Sequence, residues 1–272
     1  DDMGYSDLGC YGSEINTPNI DRLAKNGIRF RQFYNGARSC PTRASLLTGM
    51  YPHKADMGWM TAADLGAEGY HGDLSKHSVT IAEVLKTAGY STYMAGKWHV
   101  TSSKHEEANG SNHNWPKQRG FDRFFGTING GGSYYTPITL CSGNRQYKTV
   151  PDNFYYTDAL ADSASKYILE HQKNNPFFMY LAFTAPHWPL HAKPEDIEKY
   201  KGIYEMGWDK LRETRLEKMI HEGILKSPYE LSPREKKVKE WDSLSPEEKN
   251  LWASRMAVYA AQIDCMDQGI GR

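Results

Sequence analysis

The apolar pattern along this 272-residue chain changes period in a way that predicts helices alternating with strands. Residues 17–27 open on Thr17-Pro18, with proline suited to a first helical turn, and close on Gly27, which predicts a short helix. Residues 28–34 then alternate apolar with polar, the period of a strand. A second helix is expected from Ser39, with Pro41 in its first turn, Ala44 to Thr48 continuing it and Gly49 ending it. Residues 78–88 read as a capped amphipathic helix closed by Gly89, and 90–95 as the strand that follows. Over 157–172, Leu160, Ala164, Tyr167, Ile168 and His171 share one helical face, as in a helix that covers a sheet. The continuous apolar run 177–183 suits a strand buried on both faces. Helix followed by strand, repeated, predicts the α/β class with a largely parallel central sheet and crossover helices.

The last third is different. From 203 to 245 the chain turns charged and helical, and Ser232-Pro233-Arg234-Glu235 has the spacing of a capping box. The stretch reads as a helical insertion on the α/β frame. Arg234, Lys236, Lys237 and Lys239 are interleaved with Glu235 and Glu240, so a solvated helix face is expected there. Ser245-Pro246-Glu247-Glu248 starts another helix, whose stripe of Trp252, Met256, Tyr259, Ile263, Met266 and Ile270 is packing material and needs no catalytic role. Loops are expected over 51–77 and 101–118.

Composition narrows the function classes. Lys plus Arg equals Asp plus Glu at 33 each, which gives no sign of a nucleic-acid surface or a basic membrane patch. No apolar run approaches the length of a membrane span. Cys10, Cys40, Cys141 and Cys265 are widely spaced, without a zinc pattern or a deducible disulfide framework. The 18 Tyr and 7 Trp can build stacking surfaces or simply fill a core.

Three stretches carry candidate chemistry. Asp1-Asp2, ahead of a glycine-containing turn, offers paired carboxylates, hard oxygen ligands for Ca²⁺ or Mg²⁺, although adjacent acids also make ordinary solvated turns. Ser39 sits at a helix N-terminus, where free N–H groups and the positive end of the dipole favour an anion, and where serine is also a common cap. In Gly96-Lys97-Trp98-His99, Lys97 and His99 are two residues apart. If extended they share a face, where a cation can hold an anionic oxygen while an imidazole moves a proton.

Taken together, the Asp1-Asp2 stretch, Ser39-Cys40-Pro41-Thr42-Arg43-Ala44-Ser45-Leu46-Leu47-Thr48-Gly49, Gly96-Lys97-Trp98-His99 and Ala185-Pro186-His187-Trp188-Pro189-Leu190 resemble, in order, four motifs of the sulfatase family. The resemblance implies an alkaline-phosphatase-like fold and hydrolysis of sulfate monoesters. In its register the modified residue has proline two positions later and arginine four later, which selects Ser39. Choosing Cys40 would put proline at plus one and arginine at plus three. Ser39 is then expected to be oxidised to formylglycine, whose hydrate is the nucleophile, by a maturation enzyme able to process serine. The resemblance further implies a Ca²⁺ (or Mg²⁺) site using Asp1, Asp2 and Ser39, and catalytic roles for Arg43, Lys97, His99 and His187. Lys97 would bind sulfate, His99 would take a proton from the sulfated hydrate, and His187 would protonate the departing alcohol. His53, Ser133, Tyr134 and Tyr135 are candidate substrate contacts, the last three in the Gly126-to-Pro137 stretch that looks like the family's variable, substrate-facing region. The expected substrate is an aryl sulfate or a sulfated carbohydrate, in a periplasmic or secreted setting. A phosphodiester or phosphonate monoester hydrolase of the same superfamily is the alternative, and a sulfated-glycan binding module is expected if Ser39 stays unmodified. In the family a further strand carries an Asp-Asn pair and another lysine. The sequence stops before either, so residues 1–272 are expected to be part of a catalytic domain, truncated before its C-terminal part.

Overall fold

The computed structural model describes residues 1–171, 174–226 and 229–272. In chain order its elements are α1 (Pro18–Asn26), α2 (Ser39–Thr48), α3 (Ile81–Thr87), β1 (Ser91–Gly96), β2 (Arg123–Thr127), β3 (Leu140–Ser142), β4 (Arg145–Gln146), α4 (Tyr156–Leu169), β5 (Phe177–Ala182), α5 (Pro194–Glu198), α6 (Gly207–His221) and α7 (Pro246–Gly271), joined by loops and short 3₁₀ turns. The chain forms two compact units: Asp1 with Tyr34–Thr184, and Asp2–Phe33 with Ala185–Arg272. No described helix is long and apolar enough to cross a membrane.

The first unit is the α/β part. Its sheet runs β4-β3-β2-β1-β5, with β1 parallel to both β2 and β5 and the short β3 and β4 antiparallel. All six residues of β1 are buried, as expected of a central strand covered on both faces. The period of two divides its contacts. The Tyr93 ring meets Tyr167 of α4, while Met94 joins Leu47 of α2, Ala82 of α3, Trp98 and Phe124 in a fully buried cluster. The expected α/β class is therefore present, with helices on both faces of the sheet.

Several boundaries differ from the sequence reading. The helix expected over 78–88 starts at Ile81, because Thr80 rather than Ser78 forms the reciprocal cap with Glu83. In 157–172 the helix ends at Leu169; Ile168 is 46% exposed, and Gln172 lies outside the described residues. His171 is past the helix end and bonds the Tyr93 hydroxyl through Nδ1 at 2.8 Å. β5 is only half-buried over most of its length, since it is an edge strand of the described sheet with β1 as its one partner. Residues 28–34 form no strand. Alternation alone cannot supply a ladder: Ile28, Phe30, Phe33 and Tyr34 are 80%, 55%, 73% and 86% exposed, and the Phe30 carbonyl accepts from the Tyr11 hydroxyl instead.

The second unit is helical, with α7 at its centre. Ser245 and Glu248 form the expected capping box at its start. Asp267 near its end accepts the backbone N–H groups of Asn19 and Ile20 at 3.1 and 2.8 Å, fixing the first turn of α1. The charged stretch supplies α6, but Ser232-Pro233-Arg234-Glu235 caps no helix. Arg212 takes the Ser232 carbonyl at 2.6 Å, and Arg234 bonds Asp209 and Glu240 at 2.9 and 3.0 Å, so side-chain pairs rather than helical turns hold this segment. Ser227 and Pro228, inside the expected insertion, lie outside the described residues.

Candidate active site

Ser39 is the first residue of α2, whose end is sealed by Gly49 in the left-handed region (φ 69°) with its N–H on the Ser45 carbonyl. In the α/β unit four side chains meet the Ser39 hydroxyl or its immediate neighbours. His99 Nδ1 is 2.9 Å from Ser39 Oγ. Arg43, one turn along the same helix, donates from Nε to Ser39 Oγ at 3.3 Å and from a terminal nitrogen to the Lys97 carbonyl at 2.6 Å. The Asp1 carboxylate is 3.4 Å from Ser39 Oγ and 3.4 Å from Arg43. It also pairs with the Lys97 ammonium, which is completely buried.

Two fixed cations, a helix N-terminus and one carboxylate thus surround a hydroxyl that an imidazole can bond. A guanidinium and an ammonium outweigh one carboxylate, so the place suits an incoming anion. The imidazole can accept a proton from the Ser39 oxygen when Nδ1 is unprotonated. Cys40, next along the chain, is a poor rival: it is fully buried in the core cluster, and burial pushes its thiol above the ordinary range.

Lys97 and His99 reach this site by a route different from the extended one expected. β1 stops at Gly96; the Lys97 N–H pairs with the Ala182 carbonyl, while Trp98 and His99 pair with Thr127 and Ile128 at 2.9 and 3.0 Å. His99 is left-handed, with φ 57°, a conformation uncommon for residues other than glycine. The left-handed backbone of His99 beyond the strand end, not strand periodicity alone, delivers the imidazole. Gly130 completes its seat. A Cβ there would lie 2.2 Å from Cε1 and 2.3 Å from Nε2 of His99, so the ring rests directly on backbone. Residue 130 lies in the Gly126-to-Pro137 stretch expected to face substrate, and only the fold brings it to residue 99.

The other candidates have their own surroundings. Ser133 accepts the backbone N–H groups of Tyr135 and Thr136 at 3.2 and 3.0 Å, which shapes a turn. Tyr134 is fully buried and stacks on Tyr155, whereas Tyr135 is 38% exposed. His53 bonds the Tyr70 hydroxyl at 3.1 Å. In the helical unit, Asp2 and His187 form a pair, Oδ2 to Nε2 at 3.6 Å, and His187 Nδ1 is 2.5 Å from the Trp188 carbonyl.

Arg215 of α6 escaped the sequence reading. It is nearly buried and bonds Asp7 at 2.6 Å and Glu14 at 2.7 and 2.9 Å. Asp7 in turn accepts from the Tyr259 hydroxyl at 2.6 Å, and that hydroxyl is 3.4 Å from the Asp2 carbonyl. The segment bearing Asp2 is therefore tied to α6 and α7 by a buried ionic network. Burial works to raise the Glu14 carboxyl, but the Arg215 hydrogen bonds and charge outweigh it and hold the group below its ordinary range.

For a divalent cation, Asp1 turns a hard carboxylate oxygen toward Ser39, which suits one ligand position. Among the described residues no three His, Cys, Asp or Glu side chains cluster as a metal site. Asp1 fits such an ion as a single ligand, and the residues described do not complete a shell.

A family model described as Sulfatase matches residues 1–272. An arylsulfatase of Klebsiella aerogenes is 39% identical over all of this chain and 59% of its own length. An uncharacterized sulfatase of Schizosaccharomyces pombe is 36% identical over all of this chain and 52% of its own. Among solved structures, Ps i-CgsB superposes with a TM-score of 0.69 at 27% identity, over all of this chain and 51% of that one. The chain thus spans between half and three-fifths of the length of these relatives. With the family model matching from the first residue to the last, and with two full-coverage relatives above 30% identity, this chain belongs to the sulfatase family.

Proposed function

We propose that the protein containing this chain hydrolyses sulfate monoesters through a formylglycine hydrate formed from Ser39. The observation that carries the reading is the convergence of His99, Arg43 and Asp1 on one serine hydroxyl at a helix N-terminus, at 2.9, 3.3 and 3.4 Å. A serine activated by His99 could attack sulfur but would be left as a sulfate ester with no second hydroxyl to release it; a geminal diol supplies one oxygen to attack sulfur and a second whose deprotonation expels sulfate. Ca²⁺ or Mg²⁺, with Asp1 as a ligand and Asp2 as the second carboxylate that the resemblance assigns, would add Lewis-acid stabilisation of a sulfate oxygen.

This chain's own residues do the rest. Lys97 and Arg43 hold the anionic ester and offset the charge that develops on its oxygens. His99 takes the proton from the residue-39 oxygen that bonds its Nδ1. His187 gives a proton to the departing alcohol. We assign residues 1–272 to a catalytic domain in which 203–245 is a helical insertion. Among substrates, the arylsulfatase name of the Klebsiella relative favours an aryl ester.

The test uses the full-length protein co-produced with a serine-type maturation enzyme. The peptide bearing residue 39 should lose two hydrogens at Ser39 with Cys40 intact, and aryl sulfates should turn over far faster than the matching phosphodiester. Modification at Cys40 would overturn the choice of nucleophile. Preferential phosphodiester cleavage would move the protein to the phosphoryl-transfer branch. Unmodified Ser39, with tight binding of sulfated glycan and no turnover, would make it a binding module.

A further inference from the structure

The helical unit contains a cavity of about 450 Å³ walled by Trp188, Trp208, Trp241, Trp252, Tyr204 and Tyr259. Its size lies within the range of pockets that take small ligands, roughly 300 to 1,000 Å³. The rings are set edge to face: Trp208 is 4.8 Å from Trp241 and 6.1 Å from Trp252, at 81° and 79°. Three of the six wall rings have protein partners at their polar ends. Trp208 Nε1 donates to the Lys239 carbonyl at 3.2 Å, the Tyr204 hydroxyl to Glu14 at 2.8 Å, and the Tyr259 hydroxyl to Asp7 at 2.6 Å. Among the described residues of the wall the one charged side chain, Arg255, has its guanidinium over the Trp252 ring at 4.8 Å. What these side chains present to the cavity is hydrocarbon and ring face.

Two residues of the cavity wall, Trp188 and Tyr259, also contact the Asp2–His187 pair. Trp188 follows His187 directly and accepts His187 Nδ1 on its carbonyl. Tyr259, on the other side, reaches the Asp2 carbonyl at 3.4 Å. We propose that this cavity is the subsite for the leaving alcohol and that it selects sulfate esters whose alcohol is an apolar aromatic of two or more fused rings. The proposal rests on the reading of His187 as the acid that protonates that alcohol. A leaving oxygen at His187 then has its hydrocarbon next to Trp188, and a flat multi-ring alcohol fills an edge-to-face aromatic box better than one ring does. A sugar alcohol would bring hydroxyls to walls whose tyrosine and Trp208 donors are already engaged, at a desolvation cost.

Phenyl sulfate and 2-naphthyl sulfate separate this from a general preference for good leaving groups, because the two phenols are similarly acidic and differ by one ring. With the matured full-length protein, 2-naphthyl sulfate should have a KM about tenfold lower at similar kcat, within the range that added apolar contacts supply in a hydrophobic pocket. Trp252→Ala opens the wall at a residue already 43% exposed. Ala253→Phe fills the cavity instead, so a folding failure in one variant leaves the other. Each should reduce the two-ring advantage to below about threefold. Calorimetric titration of 2-naphthol, the product alcohol, reads the subsite without turnover: binding should be measurable in the wild type and weakened about tenfold in both variants. Absence of 2-naphthol binding overturns the subsite even where sulfate esters are cleaved. Binding without cleavage of any sulfate ester overturns the proposed reaction and leaves the subsite standing. Equal losses on both esters with a lowered Tm would show that the cavity is filled by protein, and a preference for sulfated monosaccharides over 2-naphthyl sulfate would show that it stacks sugar; either result overturns the proposal.

Discussion

Gly130→Ala isolates the seat of His99 from the rest of the fold. The added methyl would stand 2.2 Å from the ring, against an ordinary contact that begins at 3.4 Å, so imidazole and backbone must separate by the 1.2 Å difference. The glycine has no left-handed φ that alanine would resist. The change therefore acts on the ring rather than on the local backbone, and displacing a buried ring should cost about 1 to 3 kcal/mol of stability. A ring shift of that size should take Nδ1 out of register with Ser39 Oγ, which it now meets at 2.9 Å. A displacement of that size is worth about 10²-fold in rate, or roughly 2.7 kcal/mol in the barrier. The assay is kcat on an aryl sulfate with matured full-length protein, beside a thermal melt and the double variant Gly130→Ala/His99→Ala. If the methyl acts through His99, the double variant should be no slower than His99→Ala alone. A kcat within twofold of wild type, or losses that multiply in the double variant, would show that Gly130 does not seat the His99 ring for catalysis.

Three further outcomes follow from other parts of the molecule. His187→Ala should slow sulfate esters of basic alcohols by about 10² to 10⁴ while barely touching nitrophenyl sulfate, whose phenolate leaves unaided; equal losses on both would remove His187 from the acid role. Arg215→Ala leaves Asp7 and Glu14 without their shared cation and should cost about 3 to 5 kcal/mol in a denaturant melt, with faster amide exchange across residues 2–14; a loss below about 1 kcal/mol, the worth of an exposed pair, would mean that the network is solvated. Burial, with Glu107 beside it, pushes the Glu106 carboxyl up to about 7. The folded state then holds that proton more tightly than the unfolded chain does, so its contribution is complete at low pH and is lost as pH rises from the ordinary carboxyl range through 7. Glu106→Gln should flatten that slope by an amount on the order of 2 kcal/mol, and an unchanged pH profile of Tm would show that Glu106 is hydrated.

The parts of the site that were legible in the sequence are those that local rules determine. Ser39 at the start of α2 follows from Pro41 and Gly49; Arg43 is selected by the resemblance, and its place one turn on brings it to the Ser39 oxygen. Lys97 and His99 share the Ser39 site as the resemblance implies, but His99 does so from a left-handed backbone beyond the strand, which period-two reasoning does not anticipate. Residues 28–34 failed in the opposite sense, with correct alternation but no bonded neighbour among the described strands. In each case the deciding term is a partner distant in sequence, and side-chain period carries no information about it. Arg215 is the sharpest instance. In sequence it belongs to a charged helix that reads as solvated, and its charge is hidden only because Asp7 and Glu14, some 200 positions earlier, fold against it. Removing three charges from water is tolerable only when the geometry is nearly complete, as the bidentate bonds to Glu14 and the Tyr204 and Tyr259 hydroxyls make it here. The same residues that bury the charge, Tyr204 and Tyr259, also wall the aromatic cavity. The ionic network and the cavity are thus two sides of one packing decision, in which hydroxyls turned toward carboxylates leave ring faces turned toward the cavity.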